Sequence, residues 1–137
     1  MERTLFSYLT VCIGALIGFL YGEFTGMLKA LIILCTFDYV TGVMVAVKRH
    51  RVSSKKGYQG IFKKVCIMIL ISIAHLVDVH VIKSGNVFMS MTTLYYISNE
   101  SISVLENCDK LGLPIPEKLR KILEQVRNDS DKDSPSK

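Results

Sequence analysis

The hydrophobic residues of the chain are gathered in four runs separated by short polar segments. The runs cover residues 5–21, 27–47, 61–81 and 87–108. Because an α-helix rises 1.5 Å per residue, a run of about 20 residues is long enough to cross a hydrocarbon core about 30 Å thick. The pattern predicts an all-α integral membrane protein, with residues 1–108 forming a domain of about four transmembrane helices.

A basic turn at residues 48–60 separates the second run from the third. Positive charge resists translocation, so a short loop rich in Lys and Arg stays in the cytoplasm. An even number of crossings then leaves both termini in the cytoplasm. We interpret the basic residues of the turn and the adjacent helix start as a topology anchor, with an interaction site as the alternative: Lys48, Arg49, Arg51, Lys55, Lys56, Lys63 and Lys64.

Small residues recur at four-residue spacing in the first two runs. Gly14 and Gly18 lie in the first run with Gly22 directly after it, and Gly42 and Ala46 lie in the second. Such strips let helices approach closely in lipid, where little hydrophobic gain remains between helices. The first strip predicts either self-association or packing within one bundle.

Asp38 lies near the middle of the second run. A charged side chain at the bilayer centre costs several kcal/mol on insertion scales, so it usually faces a bundle interior or water. Two interpretations stay open. One is a role in assembly or gating, and the other is a protonated acid hydrogen-bonded to a nearby Thr or carbonyl group.

Ser72, His75 and Asp78 form a polar stripe in the third run. A hydrogen bond between His75 and Asp78, or a proton-sensitive pair facing other helices, explains this spacing better than a metal site. No metal or other cofactor is predicted.

The fourth run differs from the others because polar residues repeat along one face of the predicted helix. They are Thr93, Tyr96, Glu100, Ser103 and Asn107. A crossing helix with such a stripe needs a partner or an aqueous lumen; an interfacial or re-entrant helix is the alternative. The polar intramembrane or lumen candidates of the whole chain are Asp38, His75, Asp78, Asn99, Glu100 and Ser103.

The C-terminal part of the chain is more polar. Residues 109–127 predict a cytoplasmic or interfacial segment with a short amphipathic helix after the break at Gly112, and residues 128–137 predict a disordered tail. The chain is 50% hydrophobic with a formal net charge of +5. We expect its basic surface to meet anionic membrane lipid rather than nucleic acid, because no nucleic-acid-binding motif is present.

Several segments, in order, resemble the phage lysis and toxin-secretion holin family of Gram-positive bacteria and their phages. The resemblance covers roughly residues 28–126 and is carried by DYVTG at 38–42, SSKKG at 53–57 with Gly60 and Lys63-Lys64, AHLVD at 74–78, NESISVLEN at 99–107 and LGLPIPEKL at 111–119.

This resemblance implies a homo-oligomer in the bacterial cytoplasmic membrane that forms timed lesions. The lesions would release a murein hydrolase or a large toxin without necessarily contacting it. Two rival classes stay open, namely a small selective channel or transporter component and a non-permeabilising scaffold or antiholin. An enzyme is not predicted, because no nucleophile, base or metal constellation is placed for catalysis.

Overall fold

The computed structural model describes residues 1–23, 25–83 and 85–132, and within them the chain is helical with short connections. The five helices are α1 (Glu2–Tyr21), α2 (Gly26–Lys48), α3 (Ser54–Val77, extended by a π-helical segment at Asp78–Ile82), α4 (Val87–Leu111) and α5 (Glu117–Lys132). Each predicted run falls inside one of the first four helices.

Local chemistry explains where the helices begin and end. The Thr25 hydroxyl accepts a hydrogen bond from the Leu28 backbone N–H at 3.3 Å and so caps the start of α2. Gly112 ends α4 with φ 101°, a left-handed conformation that glycine adopts without a side-chain penalty. The prolines at 114 and 116 then separate α4 from α5.

The core lies where α2, α3 and α4 meet. Its buried apolar side chains come from all three helices: Leu28, Leu31, Cys35, Ile67, Ile71, Ala74 and Met89. α4 supplies few of them because its polar side faces the neighbouring helices. Thr93, Glu100 and Asn107, which are seven residues apart, are buried on that side. The predicted stripe therefore points into the bundle.

The contacts between helices define their directions. Asp38 of α2 lies beside Asn107 of α4, and Lys48 at the end of α2 lies beside Leu111 at the end of α4. These two helices therefore run in the same direction. α3 runs the opposite way, since its early residue Lys64 meets Glu100 and its later residue Asp78 meets the start of α4.

Among the described residues, helix α1 packs against α3 alone, near its own C-terminal end. The Tyr21 hydroxyl donates to the Met68 carbonyl at 3.3 Å, and the Phe19 and His80 rings lie 6.3 Å apart. None of the α1 residues is buried. The apolar surface of this helix is left for lipid or for another protein.

Three helices are long and apolar enough to cross a membrane, within the residues that the structure describes. They are Glu2–Tyr21, Gly26–Lys48 and Ser54–Ile82. α4 has 25 residues, about 37 Å of helix, but it is more polar. α5 continues to Lys132, past the predicted helix end at residue 127, and the rest of the predicted disordered tail lies outside the described residues.

Candidate functional site

Three charged side chains from three helices meet inside the bundle. The Lys64 ammonium of α3 contacts Oδ2 of Asp38 on α2 and Oε2 of Glu100 on α4. The Glu100 side chain is 2% exposed, and those of Lys64 and Asp38 are 15% and 14% exposed. Each charge thus finds its counter-charge within a single chain, which offsets part of the cost of removing it from water.

Asn107 completes this group, which we call the polar cluster: Asp38, Lys64, Glu100 and Asn107. Its Nδ2 donates to Oδ1 of Asp38 at 3.2 Å and lies 3.1 Å from the Thr41 hydroxyl oxygen. These contacts fasten the C-terminal half of α4 to α2. Gly42 lies next to this contact, and a Cβ placed there would be in ordinary van der Waals contact with the same Nδ2, at 3.8 Å.

The polar cluster holds two carboxyl groups but one ammonium group. With both acids ionised it carries one net negative charge, and with one proton added it is neutral. Either state is costly to expose to lipid. The cluster therefore needs to stay enclosed by protein or to reach water.

A second polar contact lies at the opposite end of α3. The two carboxylate oxygens of Asp78 accept hydrogen bonds from the backbone N–H groups of Phe88 at 3.1 Å and Met89 at 2.7 Å. These are amides of the first turn of α4, which have no partner within their own helix. Asp78 is fully buried (0% exposed) and thus caps the start of α4 from a neighbouring helix.

His75 is buried beside the end of α1. Its Nδ1 has no hydrogen-bond partner among the described residues. Its ring fills the space next to Gly22, where an added Cβ would lie 2.7 Å from the imidazole Cε1. Two residues of the predicted stripe thus have different roles: Asp78 caps α4, and His75 packs against Gly22.

The other predicted positions have distinct surroundings. Ser103 lines the same cleft as Asp38, whereas Asn99 is half-buried on α4 outside the cluster. A Cβ added at Gly14 or Gly18 would meet no described atom within 4 Å. The glycine strip of α1 is therefore open within this chain.

The basic residues of the turn and the adjacent helix start have different surroundings in the structure. Lys48 donates to the Leu111 carbonyl at 2.9 Å and the Lys110 carbonyl at 3.3 Å, which satisfies the last turn of α4. Lys64 departs from the expected position: it turns inward to the polar cluster, while its neighbour Lys63 is exposed.

Sequence reasoning missed the pairing of Lys64 with Asp38, although a signal for it exists. In an antiparallel hairpin, residues equally far from the centre of the turn lie side by side. Asp38 and Lys64 are each separated from Arg51 by the same number of residues. Asn107 belonged to the predicted stripe of α4 but was not singled out as a site residue.

An open cleft of about 640 Å³ lies between α2 and α3 next to the polar cluster. Asp38, Lys64 and Asn107 form its floor, and residues of the basic turn stand at its mouth. Ala46 is among the apolar residues of its wall. Across the described parts of the chain, no group of three or more His, Cys, Asp and Glu residues is arranged to hold a metal ion.

Comparison with known proteins gives a family match over most of the chain. A family model described as "Bacteriophage holin family" matches residues 15–128. An uncharacterized protein of Clostridium acetobutylicum is 36% identical over 88% of this chain and 96% of its own, and one of Halalkalibacterium halodurans is 34% identical over 95% and 99%. A "Probable holin" of Bacillus phage phi105 is 28% identical over 83% of each chain. No solved structure matches.

Proposed function

The chain belongs to the bacteriophage holin family, and from this premise we propose that it oligomerises in the bacterial cytoplasmic membrane and opens timed lesions there. The lesions release a murein hydrolase for host-cell lysis, or a large toxin for secretion. The released protein needs no direct contact with the chain.

One observation carries this proposal: the charged groups of the polar cluster are paired within a single chain. Asp38, Lys64 and Glu100 satisfy one another, so an inserted monomer presents few uncompensated charges to lipid. If the helices separate, water can replace these partners only where a lumen forms. The same chain can then adopt two arrangements of similar free energy, one in which protein contacts pair the polar groups and one in which water hydrates them.

Helix α1 supports lateral assembly. Its residues are unburied, and Gly14 and Gly18 meet no described neighbour. In lipid, a glycine face lets a second helix pack at short distance. We assign the contact between copies to this face.

Helix α4 is the fourth crossing in this proposal. It lies beside α2 and runs in the same direction, so it occupies the same depth as a helix that is apolar enough to span the membrane. Its buried Thr93, Glu100 and Asn107 face protein rather than lipid. Both termini are then cytoplasmic, on the side of the basic turn.

The test is inducible expression of the chain together with a cytoplasmic murein hydrolase that lacks an export signal. We expect a delay followed by an abrupt fall in culture optical density, which the chain or the hydrolase alone does not give. A β-galactosidase assay of the medium serves as an independent measure of protein release.

The other outcomes favour the rival functions. Loss of membrane potential with the hydrolase retained inside the cells would favour a small selective channel. If neither lysis nor depolarisation followed, a non-permeabilising scaffold or antiholin would replace the lesion proposal.

A further inference from the structure

The cleft between α2 and α3 has a cationic mouth that lesion formation does not explain. Arg51, Lys56 and Lys63 line it, and none of the three forms a salt bridge among the described residues. The acid that lines the same cleft, Asp38, is already paired with Lys64. The unpaired charge in the cleft is therefore positive, which attracts an anion.

The start of α3 adds hydrogen-bond donors at this mouth. Ser53 is the N-cap residue, yet its side chain makes no capping hydrogen bond. The first backbone N–H groups of a helix have no partner within the helix, and together with the helix dipole they favour a bound anion such as a phosphate. Ser53 and Ser54 both line the cleft.

The wall of the cleft is apolar and continues onto the outer surface of the helices. Val43 and Ile61 line it while remaining 41% and 47% exposed. A free phosphate would leave this apolar surface uncovered. A molecule with a phosphate head and a hydrocarbon tail covers both parts.

We propose that this cleft binds one anionic phospholipid of the cytoplasmic leaflet. Its phosphate lies between Arg51, Lys56 and the start of α3, and an acyl chain follows Val43 and Ile61. A volume of about 640 Å³ is within the usual range for a ligand pocket, roughly 300–1,000 Å³. The bound lipid also covers the polar cluster at the floor. This inference requires membrane insertion but does not depend on lesion formation.

The first measurement is native mass spectrometry of the full chain, purified in a mild detergent and titrated with phosphatidylglycerol or phosphatidylcholine. We expect one phosphatidylglycerol per chain, bound at least roughly tenfold more tightly than phosphatidylcholine, a ratio equivalent to about 1.4 kcal/mol. Equal binding of the two lipids would overturn the proposal.

Two matched double variants distinguish a specific lipid-binding site from general attraction of anionic lipid to the basic turn. Arg51→Gln with Lys56→Gln changes two residues that line the cleft, and Arg49→Gln with Lys55→Gln changes two that do not. Both remove two positive charges from the same turn. We expect roughly tenfold weaker phosphatidylglycerol binding for the first pair alone. An equal loss of phosphatidylglycerol binding in both double variants would show that the lipid is attracted to the charge of the whole turn, and would overturn the proposed site.

A third variant fills the cleft without changing charge. Ala46→Phe places a ring against the wall, and we expect it to abolish the one-to-one lipid adduct while the melting temperature shows that the bundle remains folded. If that folded variant kept the adduct, the lipid would lie elsewhere. Displacement of the lipid by millimolar inorganic phosphate would instead assign a free-phosphate site and reject the lipid.

Discussion

Lys64 supplies the positive charge that Asp38 and Glu100 require inside the bundle. It lies on α3, directly after Lys63, yet the two neighbouring lysines have opposite environments: Lys63 is exposed and Lys64 is largely enclosed. Rotation of about 100° per residue around a helix is sufficient to separate them. A shift of one residue along the helix thus decides whether a lysine faces solvent or pairs with the two acids.

Replacing Lys64 should weaken the sealed arrangement. Lys64→Met leaves two carboxyl groups without their cation, and removal of one partner from a buried ion pair typically costs about 3–5 kcal/mol. Because Lys64 is partly exposed, we expect a loss on the order of 2–3 kcal/mol, with earlier lysis. The measurements are unfolding in mixed micelles and lysis time. Lys55→Met, at an exposed lysine that does not line the cleft, is the control and should change neither.

Glu100→Gln should act in the opposite direction. It removes the excess negative charge and leaves Asp38 paired with Lys64, while the amide can still form hydrogen bonds. We expect unchanged or higher stability in mixed micelles and later lysis. Earlier lysis than in the unmodified chain would contradict the sealed-cluster mechanism.

Gly22 is the residue that joins α1 to the bundle. It has φ 63°, and an added Cβ would lie 2.7 Å from the His75 ring. Gly22→Ala should therefore cost on the order of 1–3 kcal/mol, because a φ of 63° with a ψ of −135° is a backbone conformation that residues with a Cβ rarely adopt. We expect faster proteolysis between α1 and α2 in micelles. Gly26→Ala, which has open space around its Cβ, is the control; equal effects of both substitutions would argue against the His75 contact.

At the scale of helices, α1 and α4 differ in how they use their faces. The polar residues of α4 face α2 and α3, so they make their contacts inside the bundle. α1 buries no residue and touches α3 near one end. The first helix is therefore the element with the most surface left for another copy.

Bulk on the glycine face of α1 should block assembly and leave the monomer intact. Gly14→Leu with Gly18→Leu meets no described neighbour within the chain, so we expect normal insertion and unfolding. Crosslinked oligomers in membranes should decrease by at least roughly tenfold, equivalent to about 1.4 kcal/mol, and lysis should be delayed.

The control for this prediction adds bulk elsewhere on α1. Cys12→Leu with Leu16→Phe lies on the opposite side of the helix, at two exposed positions, and should leave crosslinking and lysis time unchanged. Normal oligomers in the glycine variant would move the contact between copies to a different helix.

At the scale of the whole molecule, the parallel arrangement of α2 and α4 determines the proposed topology. Lys48 holds the end of α4 next to the basic turn, through hydrogen bonds to the Lys110 and Leu111 carbonyls. The connection between α3 and α4 lies at the other end of the bundle, where Asp78 caps α4. The chain thus separates a basic end from an end with little charge.

Reporter fusions test whether α4 crosses the membrane. Alkaline phosphatase, which is active only outside the cytoplasm, should be inactive when fused after Ser53 or Lys137 and active when fused after Gly85. The positive charge of the basic turn supplies the orientation. Activity at Lys137 would place the C-terminus outside and contradict a fourth crossing.

The sequence alone determined the helices, because their signals are local. Runs of apolar residues and breaking glycine and proline residues mark α1, α2 and α4 with bounds close to those observed. α3 begins at Ser54, seven residues before the predicted run, so residues 54–60 of the predicted basic turn are helical. The polar face of α4 and the basic turn were also predictable from spacing and charge. The resemblance to holins was visible in ordered short motifs and is confirmed by the family match.

Only the tertiary structure decided how the polar groups are partnered. Whether Lys64 faces the surface or Asp38, and whether Asp78 binds His75 or caps α4, depends on the register and rotation of separate helices. The open strip at Gly14 and Gly18 likewise became visible only when α1 was seen to pack at one end. Such contacts join residues far apart in the chain, so the local sequence pattern does not show them. They depend on how the helices pack, because a buried polar or charged group is costly unless the packing gives it a partner.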